Sequence, residues 1–214
     1  MRKIKIGLLS LFLFGVWTYL VISHDVAVAA NTSTEIGLST LNIWFHELTD
    51  VHLELYVITD WLGLVPLIVC LSFAVFGFVQ MISRRSLIQV DCDLILLGIY
   101  YLVVIFCYLL FEEFPVHYRP ILINGRLEAS YPSSTTLLVL CVMPTLIIQC
   151  RRRMKNINLI RWIEIITICF SVFMVVCRLI SGVHWLCDIV GACLISYSLV
   201  NLYCASIECC DKKE

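Results

Sequence analysis

The sequence predicts an all-α integral membrane bundle of six helices, with a candidate active site at the outer ends of helices three to six. Three observations carry this. Of the 214 residues, 61% are hydrophobic and 14% charged, far from the balance a soluble domain of this length needs. Six stretches meet or approach the ~20 apolar residues that cross a bilayer core. The basic residues gather at alternate ends of those stretches: Arg2, Lys3 and Lys5, then Arg84 and Arg85, then Arg151, Arg152, Arg153 and Lys155, then Lys212 and Lys213.

The spans fall at roughly 5–23, 57–82, 93–111, 134–150, 157–180 and 185–205, in a single domain covering 1–214 with no linker, repeat or low-complexity segment. Alternation places the four basic groups on one face, and the positive-inside rule makes that face cytoplasmic. Both termini are then inside, and the loops 24–56, 112–133 and 181–184 face out. The first span also has the basic start, apolar stretch and Ala27-Val28-Ala29 of a signal peptide. Its apolar stretch exceeds the usual length for one, so a retained helix is expected. Cleavage would leave five helices in the same topology. The loop that follows mixes Leu38, Leu41, Ile43, Trp44, Phe45 and Leu48 with polar residues including His46 and Glu47. This reads as an amphipathic interfacial segment anchored by Trp44, a cap on the outer helix ends, or both. Asn31-Thr32-Ser33 is a glycosylation sequon that matters only in a eukaryotic secretory pathway. The fourth span is short and starts in a Ser/Thr cluster, so its outer end is expected to be buried in protein.

The 12 cysteines form no CxxC pair and no disulfide-framework spacing. Cys70, Cys107, Cys141, Cys169 and Cys193 lie within apolar spans as small hydrophobes, and Cys209-Cys210 reads as a plain thiol pair, with acylation the alternative. A net charge of -1 gives no sign of a nucleic-acid partner.

Three arginines break the charge rule by falling on the outer side: Arg119, Arg126 and Arg178. Arg119-Pro120 closes a run of ionisable residues that starts at Glu112-Glu113 and includes His117. Pro132-Ser133-Ser134 precedes an apolar span, which is a helix-start signal; a helix start offers free N–H groups to an anion. Arg178 is followed by the turn Ser181-Gly182-Val183, then His184, then Asp188 on the same helix face. A carboxylate on one imidazole nitrogen fixes the tautomer and leaves the other as base or nucleophile. The bland reading of His184 and Asp188 is a buried pair tying helices together. Against it stands the collection of two guanidiniums, a helix N-terminus and an oriented imidazole at the same ends of the spans. Those groups are what phosphoryl transfer to a histidine requires.

The order Arg-Pro, Pro-Ser, Arg-x5-His-x3-Asp resembles the type-2 phosphatidic acid phosphatase family, related to vanadium haloperoxidases, over about residues 112–190. The resemblance implies a six-helix membrane lipid phosphatase that needs no metal or other cofactor. It implies His184 as nucleophile, Asp188 as its orienting partner, Arg119 and Arg178 as phosphate ligands, and amides near Ser133 and Ser134 completing the cradle. Two departures stand out. The family's first motif opens on Lys where this chain has Glu112, which leaves Glu112 to point away, bind a divalent ion or meet a cationic substrate group. The second motif's His, the usual leaving-group acid, is replaced by Thr135 in Pro132-Ser133-Ser134-Thr135. Without that acid a phosphate leaving from a lipid pyrophosphate is easier to expel than an alkoxide. His117 is the candidate stand-in acid, its alternative being a loop histidine at the water interface; Glu113 is a weaker candidate.

The sequence therefore predicts a lipid phosphatase or pyrophosphatase acting on a lipid phosphate in the bilayer, at the outer leaflet of the plasma membrane. The alternatives are a lipid head-group phosphotransferase using the same His and Asp, and a non-catalytic lipid-phosphate binder. A transporter fits poorly, because few charged residues lie near the bilayer centre.

Overall fold

The computed structural model describes residues 1–29, 32–86 and 89–212. Asn31 of the sequon and Lys213 of the last basic pair lie outside the described residues. The helices are α1 (Arg2–Ser23), α2 (Ser39–Thr49), α3 (Leu53–Leu62), α4 (Leu64–Arg84), α5 (Cys92–Glu113), α6 (Ser134–Arg153), α7 (Ile157–Ile180) and α8 (Leu186–Asp211). Six helical segments are long and apolar enough to cross a membrane, with α3 and α4 together making the second, Leu53–Arg84. The two join at Gly63. Pro66, which has no N–H to give, sits in the first turn of α4, where an amide lacks an intrahelical acceptor anyway.

The bundle is organised around α8. It packs against α1, α5 and α6. Half of the apolar window of α6 and of α8 is buried, against 22% for α1, α5 and α7 and 6% for α3–α4. Small residues allow the close approach: Ser198 Oγ donates to the Gly7 carbonyl at 2.8 Å, joining α8 to α1. The outer helices keep Leu, Ile, Val and Phe exposed, as lipid-facing surfaces do.

Charged residues at one end tie the helices together. Lys3 pairs with Glu208, Arg84 with Asp91, and Arg152 with both Asp93 and Asp211. Arg153 reaches the buried Asp93 at 2.8 Å. This network explains why α8 runs to Asp211, past the expected 205: its polar last turn is held by partners on α1 and α6. The cysteine expectation needs correction. Cys210 is joined to Cys92 by a disulfide where the start of α5 meets the end of α8, while Cys209 stays a free exposed thiol. A separation of 118 residues left no spacing signal for this pair.

At the other end, β1 (Ala27–Val28) pairs antiparallel with β2 (Glu35–Ile36). Next, α2 turns a polar side inward: buried Asn42 donates to the Gly37 carbonyl and accepts from the Cys187 amide at 3.1 Å. Leu41, Trp44 and Leu48 remain exposed on its other side. α2 is thus both a cap on α8 and a carrier of outward apolar residues.

Candidate active site

The 112–133 loop is shaped by a short hairpin. Asn124 and Gly125 take φ values of 50° and 74°, and Ile123 and Arg126 exchange backbone hydrogen bonds across them. Asn-Gly is the pair a two-residue turn with two left-handed positions favours. Further back, Tyr118 bridges Ala129, the Arg119 amide donates to the Glu128 carbonyl at 3.1 Å, and the Ser130 amide donates to the His117 carbonyl at 3.0 Å. The hairpin therefore sets Arg119 beside Glu128 and Ser130 beside His117, and leaves Arg126 exposed at its tip. Trp185 Nε1 donates to the Tyr118 carbonyl at 2.8 Å, which pins the hairpin to the start of α8.

His184 sits on the turn between α7 and α8. Gly182 makes that turn with φ at 70°, and a Cβ there would come within 2.3 Å of the Asp50 carbonyl oxygen. Only glycine satisfies both constraints. The fully buried Asp188 stands in the first turn of α8 and accepts from the Trp185 amide at 2.8 Å. The same oxygen, Oδ2, receives the Ser130 hydroxyl and lies 3.4 Å from His184 Nδ1. Ser130 Oγ is 3.2 Å from that nitrogen as well. These contacts favour the tautomer with the proton on Nδ1. His184 Nε2 is then a lone pair, buried and without a partner among the described residues.

Burial pushes the His184 pKa down to about 4, helped by the charge of Arg119 and opposed by its hydrogen bond to Asp188. The imidazole is therefore neutral over the physiological range, with the Nε2 lone pair open. The sign has a consequence for stability. A folded pKa below the unfolded value of about 6.5 means that the unfolded chain binds the proton more readily between the two. Stability from this group is fully present above about pH 6.5 and is lost as pH falls toward about 4. His46, also pressed down by burial, adds in the same direction. Midpoints of thermal unfolding in detergent should fall between pH 6.5 and 4, and His184→Gln should flatten that slope.

The two arginines converge over one ring. The Arg119 and Arg178 guanidinium carbons lie 5.6 and 4.8 Å from the centroid of Tyr56. Both residues are buried. Arg178 donates to Thr59 Oγ1 at 3.0 Å, to Thr135 Oγ1 at 2.6 Å and to the Tyr56 carbonyl, and Asp60 lies 3.6 Å away. Arg119 pairs with Glu128 at 3.2 Å. Its Nε and Nη1, and Nε of Arg178, have no partner among the described residues. Buried guanidinium nitrogens left open are poised for an anion.

Ser133 precedes α6, but its amide donates to the Asp188 carbonyl at 3.3 Å and its hydroxyl to Thr136. Ser134 lines the cavity beside Arg119 and opens α6, where first-turn amides face no intrahelical acceptor. His117 lies behind the pair: its Nε2 is 3.3 Å from the second Asp188 oxygen, Oδ1, and 3.3 Å from Cys187 Sγ. One buried carboxylate thus serves two imidazoles from opposite oxygens. His117, Cys187 and Asp188 are also the one group among the described residues whose ligand atoms, all within 4.8 Å, could hold a metal ion. A metal there would draw Asp188 away from His184.

The sequence reading missed Tyr56, Thr59 and Asp60, one polar turn of α3 supporting Arg178. The signal was present, since Tyr, Thr and Asp interrupt an otherwise apolar span. It also missed Ser130 as a partner of Asp188.

The PAP2 superfamily matches residues 109–208. The solved structure of a transmembrane PAP2 type phosphatidylglycerolphosphate phosphatase from Bacillus subtilis superimposes with a TM-score of 0.61 at 15% identity, covering 97% of each chain. No curated protein matches the sequence. The segment carrying Arg119, Arg178, His184 and Asp188 is the one that the PAP2 superfamily matches, and the whole chain folds as an integral membrane bundle like a transmembrane PAP2 protein.

Proposed function

We propose that this protein is a lipid phosphatase or pyrophosphatase that works through a phosphohistidine at the outer leaflet of the plasma membrane. The observation that carries the reading is the unpartnered His184 Nε2, held by Asp188 and Ser130 in a site that also gathers Arg119 and Arg178. Nε2 attacks phosphorus, the P–O bond to the lipid breaks, and the phosphoryl group rests on the imidazole. The open guanidinium nitrogens and the first amides of α6 stabilise the equatorial oxygens. Water then breaks the N–P bond and releases phosphate. The positive-inside rule assigns the basic end to the cytoplasm, which supports an outward-facing site.

Thr135 occupies the place of the family's acid and is engaged by Arg178. His117 is turned to Asp188, which supports a role in holding the carboxylate over one as leaving-group acid. A lipid whose leaving group needs no proton is therefore the better substrate. Phosphate release by purified protein in detergent, with EDTA, should be faster from a polyprenyl pyrophosphate than from the matching monophosphate. Faster steady-state turnover of the monophosphate would remove the missing-acid argument. Release that His184→Ala leaves intact would remove the mechanism.

The same topology predicts the state of two thiols in cells. The Cys92–Cys210 disulfide lies at the end assigned to the cytoplasm, where the reducing pool should open it, so both thiols should alkylate when intact cells are treated before lysis. A pair that resists alkylation until reductant is added would reverse the assigned orientation.

A further inference from the structure

Behind His184, three chemically different donors meet at one buried point. His117 comes from the hairpin loop, and Cys187 and Asp188 from the first turn of α8. His117 Nε2 lies 3.3 Å from Cys187 Sγ and 3.3 Å from Asp188 Oδ1, and Sγ lies 3.6 Å from Oδ1. A tetrahedral zinc ion with Zn–N and Zn–O bonds of ~2.0 Å and a Zn–S bond of ~2.3 Å spaces its ligand atoms ~3.3–3.6 Å apart. The triangle therefore has the dimensions of three corners of a zinc tetrahedron. The fourth corner falls to water, as it does where a protein supplies three ligands. Asn42 of α2 donates from Nδ2 to the same sulfur at 3.1 Å, and its bonds to the Gly37 carbonyl and the Cys187 amide hold it there. An N–H aimed at sulfur is the kind of outer hydrogen bond that steadies a metal-bound thiolate. His117 Nδ1 has no partner among the described residues, so no acceptor fixes the ring proton and Nε2 can turn its lone pair to a metal.

Resting on the reading of His184 as the nucleophile of a lipid phosphatase, we propose that His117, Cys187 and Asp188 form an inhibitory zinc site. Thiolate, imidazole and carboxylate together select zinc over magnesium and calcium, which take oxygen ligands. On binding, the Cys187 thiol gives its proton to solvent and its sulfur joins the metal. His117 Nε2 and Asp188 Oδ1 complete the set, with no change of oxidation state. The ion then neutralises the carboxylate whose other oxygen, Oδ2, faces His184 Nδ1 at 3.4 Å. The imidazole loses the charge that steadies its phosphorylated form. Arg119 and Arg178 contact neither Asp188 oxygen, so they still hold the phosphate. Zinc therefore lowers kcat and leaves KM near its metal-free value.

The test uses the full-length protein without a histidine tag, stripped with EDTA and exchanged into chelator-free detergent buffer. It is titrated with cobalt, a spectroscopic substitute for zinc. Wild type should develop a thiolate-to-cobalt charge-transfer band that saturates at one ion per chain and is bleached by zinc. Cys187→Ser should lack the band and bind zinc at least about a hundredfold more weakly, beyond the ~10–100-fold that loss of an outer partner costs. His117→Gln, read for metal binding alone, should lose the band as well. With a polyprenyl pyrophosphate as substrate, saturating zinc should lower the wild-type kcat at least about tenfold, a small part of the ~10⁴ that neutralising the carboxylate of a catalytic triad costs. EDTA should restore it, and magnesium or calcium at the same concentration should have no effect. Cys187→Ser should turn over as wild type does without zinc and keep that rate with it, which also controls for zinc taken up by the substrate. The absence of a band, a band that survives either substitution, or equal zinc inhibition of wild type and Cys187→Ser overturns the site and leaves the phosphatase reading intact. No phosphate release from zinc-free wild type would remove the phosphatase reading, and the cobalt band would then decide the metal site by itself.

Discussion

Replacing His184 with alanine should lower phosphate release by at least about a thousandfold, the scale on which removing a covalent nucleophile acts. The expectation rests on the absence of a substitute at that place. His117 is the other imidazole on Asp188, but it meets the opposite carboxylate oxygen, with Cys187 beside it. Loss of activity must be separated from loss of fold. Asp188 should stay anchored in the variant, because the Trp185 amide and the Ser130 hydroxyl still donate to it. His184→Ala should therefore elute from a sizing column as wild type does and still bind a lipid phosphate. An acid-labile phosphoryl adduct trapped on the wild type should be missing. Retention of a tenth of the activity would place the nucleophile elsewhere.

The parts of this site that could be read in the sequence are those set by local spacing. His184 and Asp188 are one helical turn apart. Arg178 ends one apolar stretch as His184 precedes the next. The basic clusters marked alternate span ends without reference to any contact, and Lys3, Arg84, Arg152 and Arg153 do share one end. What was missed depends on elements distant in sequence. Ser130 meets Asp188 across 58 residues, Asn42 meets Cys187 across 145, and Cys92 meets Cys210 across 118. Hydropathy says which helices exist but not which faces meet. The hairpin is a different case. Asn124-Gly125 is a local turn signal that was legible, and it fixes the opposition of Arg119 with Glu128 and of His117 with Ser130. With that turn recognised, Glu128 would have been placed beside Arg119.

Asp188→Asn should be nearly as damaging as loss of the nucleophile, at about a thousand- to ten-thousandfold in kcat. Asparagine keeps the volume of a side chain that is fully buried, so packing is not the cause. The chemistry changes because one acceptor oxygen becomes an NH2 donor. Oδ2 already accepts from the Trp185 amide and Ser130, and it faces His184 Nδ1 at 3.4 Å. If the amide oxygen keeps the Trp185 and Ser130 bonds, the NH2 turns to His117, and His184 loses the charge that steadies its phosphorylated, cationic form. If the NH2 takes the His184 side, the imidazole must present its lone pair at Nδ1 and carry its proton on Nε2, where the nucleophile should be. Either arrangement disables attack and spares phosphate binding, because Arg119 and Arg178 contact neither Asp188 oxygen. KM should therefore stay within about threefold while kcat collapses, the pattern of an interaction made in the transition state. A purely structural role would weaken lipid binding and thermal stability together with turnover. A wild-type kcat in Asp188→Asn would show that Ser130 alone orients the imidazole.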